Sequence, residues 1–404
     1  MDEISSNNKR CSMRTSWLHV LIAIAGGYAV CLQLGKVPAA LPLVGDEFDL
    51  THWQRGAIVS SLSVLTAVSG IFIGLWANRF RADRIAILAL TIAILSGLAG
   101  AATESFLPLL MTRLAEGLGY IMAMAALPAV VAAYCAVNDR SVAMALWSSS
   151  VPGGIAVLML SSPLLIGSLG FDWRELWIAT SVAMAVVLVA MVACFRPLRA
   201  PSHPPIARSP PLSDLRGALQ VRTVSLVGLF ILYSVQFLAV ISFLPTMLVE
   251  QNGVALGTAA FFGGIVAVGN ALGAVLAATL IKAGLRRRNI IVAGYATMAV
   301  AAAFVLTDIA PLPVRLVAAL VFAMVGALIP GTIWTYVPEL ASHPAQAPIY
   351  AGMFIQGSGL GQIIGPVVLG GLVDVFGAWE YALILTTIAS LGGIALAFAS
   401  QHDR

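Results

Sequence analysis

The sequence predicts an all-α polytopic membrane protein: twelve transmembrane helices in two six-helix parallel repeats. Three observations carry this reading. First, the 404 residues are 60% hydrophobic and only 10% charged, whereas a soluble domain carries roughly 25% charged residues. Second, the apolar residues fall into twelve runs, and about 20 apolar residues in a helix span a bilayer core roughly 30 Å thick. Third, the two halves repeat each other. Gln33 recurs as Gln236, Leu41-Pro42 as Leu244-Pro245, Glu47 as Glu250 and Arg79 as Lys282, each pair 203 residues apart. Arg113 and Pro128 return as Arg315 and Pro330 at 202, and Pro163 as Pro366 at 203. The short polar–apolar alternation of a membrane barrel is missing.

The first run, 17–43, follows Lys9, Arg10 and Arg14. It exceeds a signal-peptide core of about 7–15 residues and is expected to stay as an uncleaved helix. Runs at 54–77, 85–103, 107–134, 143–168 and 174–195 complete an N-terminal half, residues 1–195. Residues 196–220 are expected to form a cytoplasmic linker, because Pro197, Pro201, Pro204, Pro205, Pro210 and Pro211 deny it regular helix. The C-terminal half, 221–404, holds runs at 221–248, 257–281, 289–308, 312–337, 348–373 and 379–399. Six spans return the chain to its starting side, so the repeats are related by an axis along the membrane normal. Arg79, Arg81, Arg84, Arg140, Arg196, Arg199, Lys282 and Arg286-Arg287-Arg288 occupy one set of connections. Asp46, Glu47, Asp49, Glu104, Asp172, Glu250, Asp308 and Asp374 occupy the other. The basic side is expected to be cytoplasmic. The expected location is a plasma membrane, of the bacterial inner-membrane kind, with both termini inside.

Several function classes are disfavoured. The net charge of +4 is spread over short loops rather than a stripe, so no nucleic-acid partner is expected. Cys11, Cys31, Cys135 and Cys194 contain no C-x-x-C pair, which argues against a disulfide framework or a metal site. Gly357, Gly359 and Gly361 lie in an apolar run with no strand before them and no Lys-Ser/Thr after, so they are not a phosphate loop. No nucleophile–base pair shares a helix face, and neither an enzyme nor a cofactor is expected. A duplicated membrane chain is instead a transporter design, two halves rocking about a site between them.

The second run ends Gly74-Leu75-Trp76-Ala77-Asn78-Arg79-Phe80-Arg81-Ala82-Asp83-Arg84. This resembles the G-x-L-A-D-R-x-G-R-R/K loop of the major facilitator superfamily. Lys282-Ala283-Gly284-Leu285-Arg286-Arg287 resembles its second-half copy, and Arg113, Glu116-Gly117 and Gly119 are similar to the R-x-x-x-G-x-G pattern of its fourth helix. The resemblance covers the whole chain. It implies alternating access, with segments 1, 4, 7 and 10 around a central cavity and Asn78, Arg79 and Lys282 at the gate. Asn78 and Ile281 stand where the family usually has an acid, and Arg81 replaces a glycine. Val151-Pro152-Gly153-Gly154 departs from the drug-exporter signature. Arg113-x-x-Glu116-Gly117, with Trp147, Pro152, Pro163 and Trp173-Arg174, is similar to the cyanate/nitroimidazole transporter branch.

Charges inside a bilayer are costly and call for a partner, water or a substrate. Gln33 and Lys36 share a face of segment 1, and Arg113, Glu116 and Tyr120 a face of segment 4. Placed around the implied cavity, Lys36 and Arg113 are candidate anion ligands, Arg by a fork and Lys as a point charge. Gln33 and Gln236 are candidate hydrogen-bonding partners, Gln356 a further polar one, and Tyr120, Trp147 and Trp334 candidate walls. Glu116 is the candidate proton-exchanging group. The plainer alternatives are a self-satisfied Arg113–Glu116 pair, helix–helix contacts for both glutamines and bundle core for the aromatics. The expected function is secondary or facilitated transport of a small or organic anion, proton-coupled in one version, by a monomer in a lipid bilayer. The alternative is export of hydrophobic or cationic compounds.

Overall fold

Backbone in hydrocarbon must satisfy its own amides and carbonyls, so the apolar runs become helices. The computed structural model describes residues 15–76, 81–195, 219–341 and 346–399, and no strand occurs among the described residues. The first half comprises α1 (Trp17–Glu47), α2 (His52–Trp76), α3 (Ala82–Ala101), α4 (Phe106–Ala133), α5 (Arg140–Ser148, then Ser150–Ser168) and α6 (Trp173–Cys194). The second comprises α7 (Val221–Asn252), α8 (Leu256–Lys282), α9 (Arg287–Leu306), α10 (Leu312–Leu340, in short pieces), α11 (Ala347–Phe376) and α12 (Ala382–Ala399). Eleven are long and apolar enough to cross a membrane, and α2, 25 residues long, returns the chain between two of them. Asn78, Arg79 and most of the expected linker lie outside the described residues.

Local chemistry sets the boundaries. The side chains of Asp172 and Glu175 form a capping box that starts α6. Gly253 (φ 63°) and Gly377 (φ 74°) end α7 and α11 in the left-handed conformation glycine adopts without strain. Helix α1 continues through Pro38 and Pro42 to Glu47, and α7 through Pro245 to Asn252, each beyond its expected end. Prolines in a membrane helix are tolerated because neighbouring helices and local adjustments satisfy the freed groups. At Pro163 the chain yields further, and α5 finishes as a single π turn, Pro163–Ser168.

Within the first half α3 packs on α4 and α6, and α1 on α4 and α6; within the second α9 packs on α10 and α12, and α7 on α11 and α12. The start of α1 bonds the end of α4 through Ser16 N–H and the Tyr134 carbonyl (3.0 Å). The start of α7 meets the end of α10 where Arg222 and Arg287 pair with Glu339 at 3.4 and 2.5 Å. Both halves therefore begin and end at one face, the basic end, with the acid-rich connections opposite. The halves join along α2–α11, α1–α7 and α5–α8. Hydrogen bonds between the halves run from α2, between His52 and Ser63, to α7 and α11. That portion of α2 belongs to the acidic end and the middle of the bundle, so the molecule is closed at its acidic end.

Candidate functional site

Helical spacing sets Gln33 and Lys36 one turn apart on α1, and Arg113 and Glu116 one turn apart on α4. The fold brings these two faces together. Lys36 Nζ lies 2.7 Å from Glu116 Oε1, with both side chains 0% exposed. Arg113 pairs with the other oxygen of Glu116 and donates to the Gln33 carbonyl at 3.3 Å. Two cations thus share one carboxylate inside the first half. Lys36, for which its own segment offered no acid, finds one on α4. Its ammonium also stands 4.4 Å from the ring centre of Trp177 on α6, a contact that strengthens once water is excluded.

The cluster reaches α3 and α6. Gln33 Nε2 lies 3.6 Å from the Met184 sulfur, while Gln33 Oε1 and Arg113 Nε are buried without a protein partner. Gly97 of α3 makes room: a Cβ there would stand 2.5 Å from Ser181 Oγ and 3.4 Å from Glu116 Oε1. Sequence inspection missed Trp177, Ser181, Met184 and Gly97. The first three continue from Trp173 at helical spacing, a stripe whose polar and aromatic members signal a packed face of α6.

The other candidates are dispersed. Gln236 is fully buried on α7 and accepts from Ser390 of α12 at 3.0 Å, its Nε2 lacking a partner. Each repeated glutamine thus turns toward the sixth helix of its own half. Trp147 packs over Gly27 of α1, and Tyr120 borders the same apolar cluster near the basic end. Trp334 joins Phe230 and Phe354, ring centres 6.3 and 5.9 Å away, and Phe230 leads on to Tyr233 and Phe237. Gln356 is half-buried on α11, with Oε1 unpartnered. Lys282 is exposed in the last turn of α8. Arg315, the repeat of Arg113, sits at the acidic end, paired with Asp308 at 2.7 Å and Gln251 at 2.5 Å. Among the described candidates, Gln33, Lys36, Arg113 and Glu116 alone converge. Among the described residues no group of three or more His, Cys, Asp or Glu could hold a metal ion.

Comparison with solved structures gives the same architecture. A bacterial homologue of the human lysosomal transporter Spinster, in an inward-facing and occupied conformation, superposes with a TM-score of 0.80 at 17% identity, covering 95% of this chain and 96% of that one. The nucleoside transporter NupG gives 0.76 at 14%, covering 95% and 98%. At such identities the likeness is one of fold. No curated protein matches the sequence. The family profile described as Major Facilitator Superfamily matches residues 21–356. With the twelve helices and the repeat, that match makes the chain a member of the major facilitator superfamily, a family of membrane transporters.

Proposed function

We propose that the chain is a secondary transporter that moves a small or organic anion by alternating access. The observation behind this is the charge imbalance at Lys36, Arg113 and Glu116: two cations, one carboxylate and no water-exposed surface. A protonated pair of bases leaves one positive charge inside, which is costly in a low-dielectric interior. A bound anion would balance it. Without one, only the Lys36 proton is free to leave, since a guanidinium stays protonated. Anion binding and proton uptake are then linked at one triad, with Glu116 holding the bases together. Access requires the surrounding helices to part, which movement of the halves would supply.

The halves, 1–195 and 221–404 about a linker at 196–220, work as a monomer with the basic end and both termini in the cytoplasm. The residues shared with the cyanate/nitroimidazole branch favour a compact substrate. Counterflow in proteoliposomes against cyanate, nitrite and short carboxylates tests the reading. At least one should exchange, and Lys36→Gln should weaken its binding far more than Lys282→Gln. Exchange of neutral or cationic compounds alone would sink the anion claim. The second reading, export of hydrophobic or cationic compounds, draws on the Phe230, Tyr233, Phe237, Trp334 and Phe354 aromatics. It predicts drug hypersensitivity in a deletion strain, uncorrected by Glu116→Gln.

A further inference from the structure

The two repeats use equivalent glutamates differently at the acidic end. Glu47, closing α1, is held by its own half: Trp173 Nε1 donates at 2.5 Å and Arg174 pairs at 2.5 Å. Glu250, closing α7, keeps the equivalent tryptophan, Trp379, at 3.1 Å. The residue after that tryptophan, however, is Glu380 rather than an arginine. The cations of Glu250 come from the other half, Arg55 at 3.0 Å and His52 Nε2 at 3.4 Å, both on α2. On its other side, His52 Nδ1 lies 2.9 Å from Asp374 of α11. Asp374 also accepts from the backbone N–H groups of His52 and Trp53, each at 2.8 Å, capping α2 from across the interface. Arg55 reaches Asp46, at the end of α1, at 3.4 Å, and the Trp379 ring stands edge-on to the imidazole at 5.3 Å.

An imidazole facing a carboxylate from each nitrogen can donate to both only when doubly protonated. We propose that His52 is a proton-binding site at the acidic face and that its protonated form latches the two halves shut there. Glu250 from α7 and Asp374 from α11 define the site, with Arg55 from α2 and Asp46 from α1 completing the charges around it. Loss of the proton turns a lone pair toward one carboxylate and removes the cation between the two. Arg55 still holds Glu250, so the latch loosens rather than disappears.

His52 lies at the aqueous rim, ahead of the apolar stretch of α2. The Glu250 carboxylate, seconded by Asp374, holds the imidazolium above its ordinary range, against burial and the nearby Arg55. Parting the halves removes both carboxylates and returns His52 toward its usual value of about 6.5. The contribution of the proton to closure is therefore complete below that open-state value. It is lost as pH rises through the higher closed-state value. Acid closes this face; alkali loosens it.

Spin labels at Glu104→Cys and Ile309→Cys, exposed at the acidic ends of the two halves, read the gap in the full chain freed of native cysteines, in nanodiscs. From pH 5 to pH 9 the long-distance population should rise, with a midpoint above about 6.5. His52→Gln should flatten the profile. Asp374→Asn keeps the imidazole and should lower the midpoint, which keeps the test decisive if His52→Gln does not fold. A flat wild-type profile, a pH response that survives His52→Gln, or an Asp374→Asn midpoint that does not move would each overturn the proposal.

Discussion

Glu116→Gln should lower stability by roughly 3–5 kcal/mol, the usual cost of removing one partner from a buried ion pair. The glutamate is the only acid within ion-pair distance of both Lys36 and Arg113 among the described residues. An amide in its place leaves the Arg113 guanidinium, which stays protonated, enclosed and facing a neutral group, while the Trp177 ring answers only Lys36. Lys36→Met should behave in the opposite way. It deletes the charge for which the triad has no carboxylate and leaves a flexible apolar chain under the indole, so it is expected within about 1 kcal/mol of the wild type or above it. Thermal unfolding of the purified variants in nanodiscs measures both. If Glu116→Gln melted with the wild type while Lys36→Met collapsed, Glu116 would not be the hub of the triad. Counterflow by a stable Lys36→Met then separates roles: lost exchange marks a substrate or proton ligand, and retained exchange marks packing alone.

The fold was legible because its causes are local and repeated. Uncharged runs of bilayer length specify helices, and pairs such as Gln33–Gln236 and Glu47–Glu250 carry the duplication in plain residues. The site was legible only along each helix. Spacing put Arg113 beside Glu116 and Gln33 beside Lys36, but nothing local told Lys36 that its acid stood on α4. Two glutamines related by the repeat suggested a shared central position. Instead each turns to Met184 or Ser390 on the sixth helix of its own half. The acidic end was least legible. His52 falls between the first two apolar runs and Arg55 at the start of the second, and neither shows its role along the chain, because their partners are more than 190 residues away on another half. One comparison was available in sequence: Trp173-Arg174 against Trp379-Glu380, where the second copy reverses the charge and must find its cation elsewhere.

Gly56→Leu should abolish counterflow while leaving each six-helix half folded. Along the α2–α11 seam, Gly56 lies against the Pro366 carbonyl and Gly370 against the His52 carbonyl, and a Cβ on Gly359 would stand 2.7 Å from the Ala67 nitrogen. Backbone atoms cannot swing aside as side-chain ends do, so a leucine forces the helices apart. On the proposed alternating-access cycle this seam parts as the acidic end opens, and a substitution acts on an equilibrium through the difference it makes between states. An overpacking cost of roughly 1–3 kcal/mol borne by the closed state alone shifts the populations about 5- to 150-fold toward opening. A side chain larger than the gap along a whole seam belongs at the upper limit. Ser60, buried on α2 and bonded to the Gln362 and Ile363 carbonyls at 3.0 Å, supplies the readout. Ser60→Cys should resist a membrane-impermeant maleimide in the parent and react in the Gly56→Leu background. Equal resistance in both, with exchange intact, would mean that α2 and α11 stay together through the transport cycle, and that the halves part somewhere other than this seam.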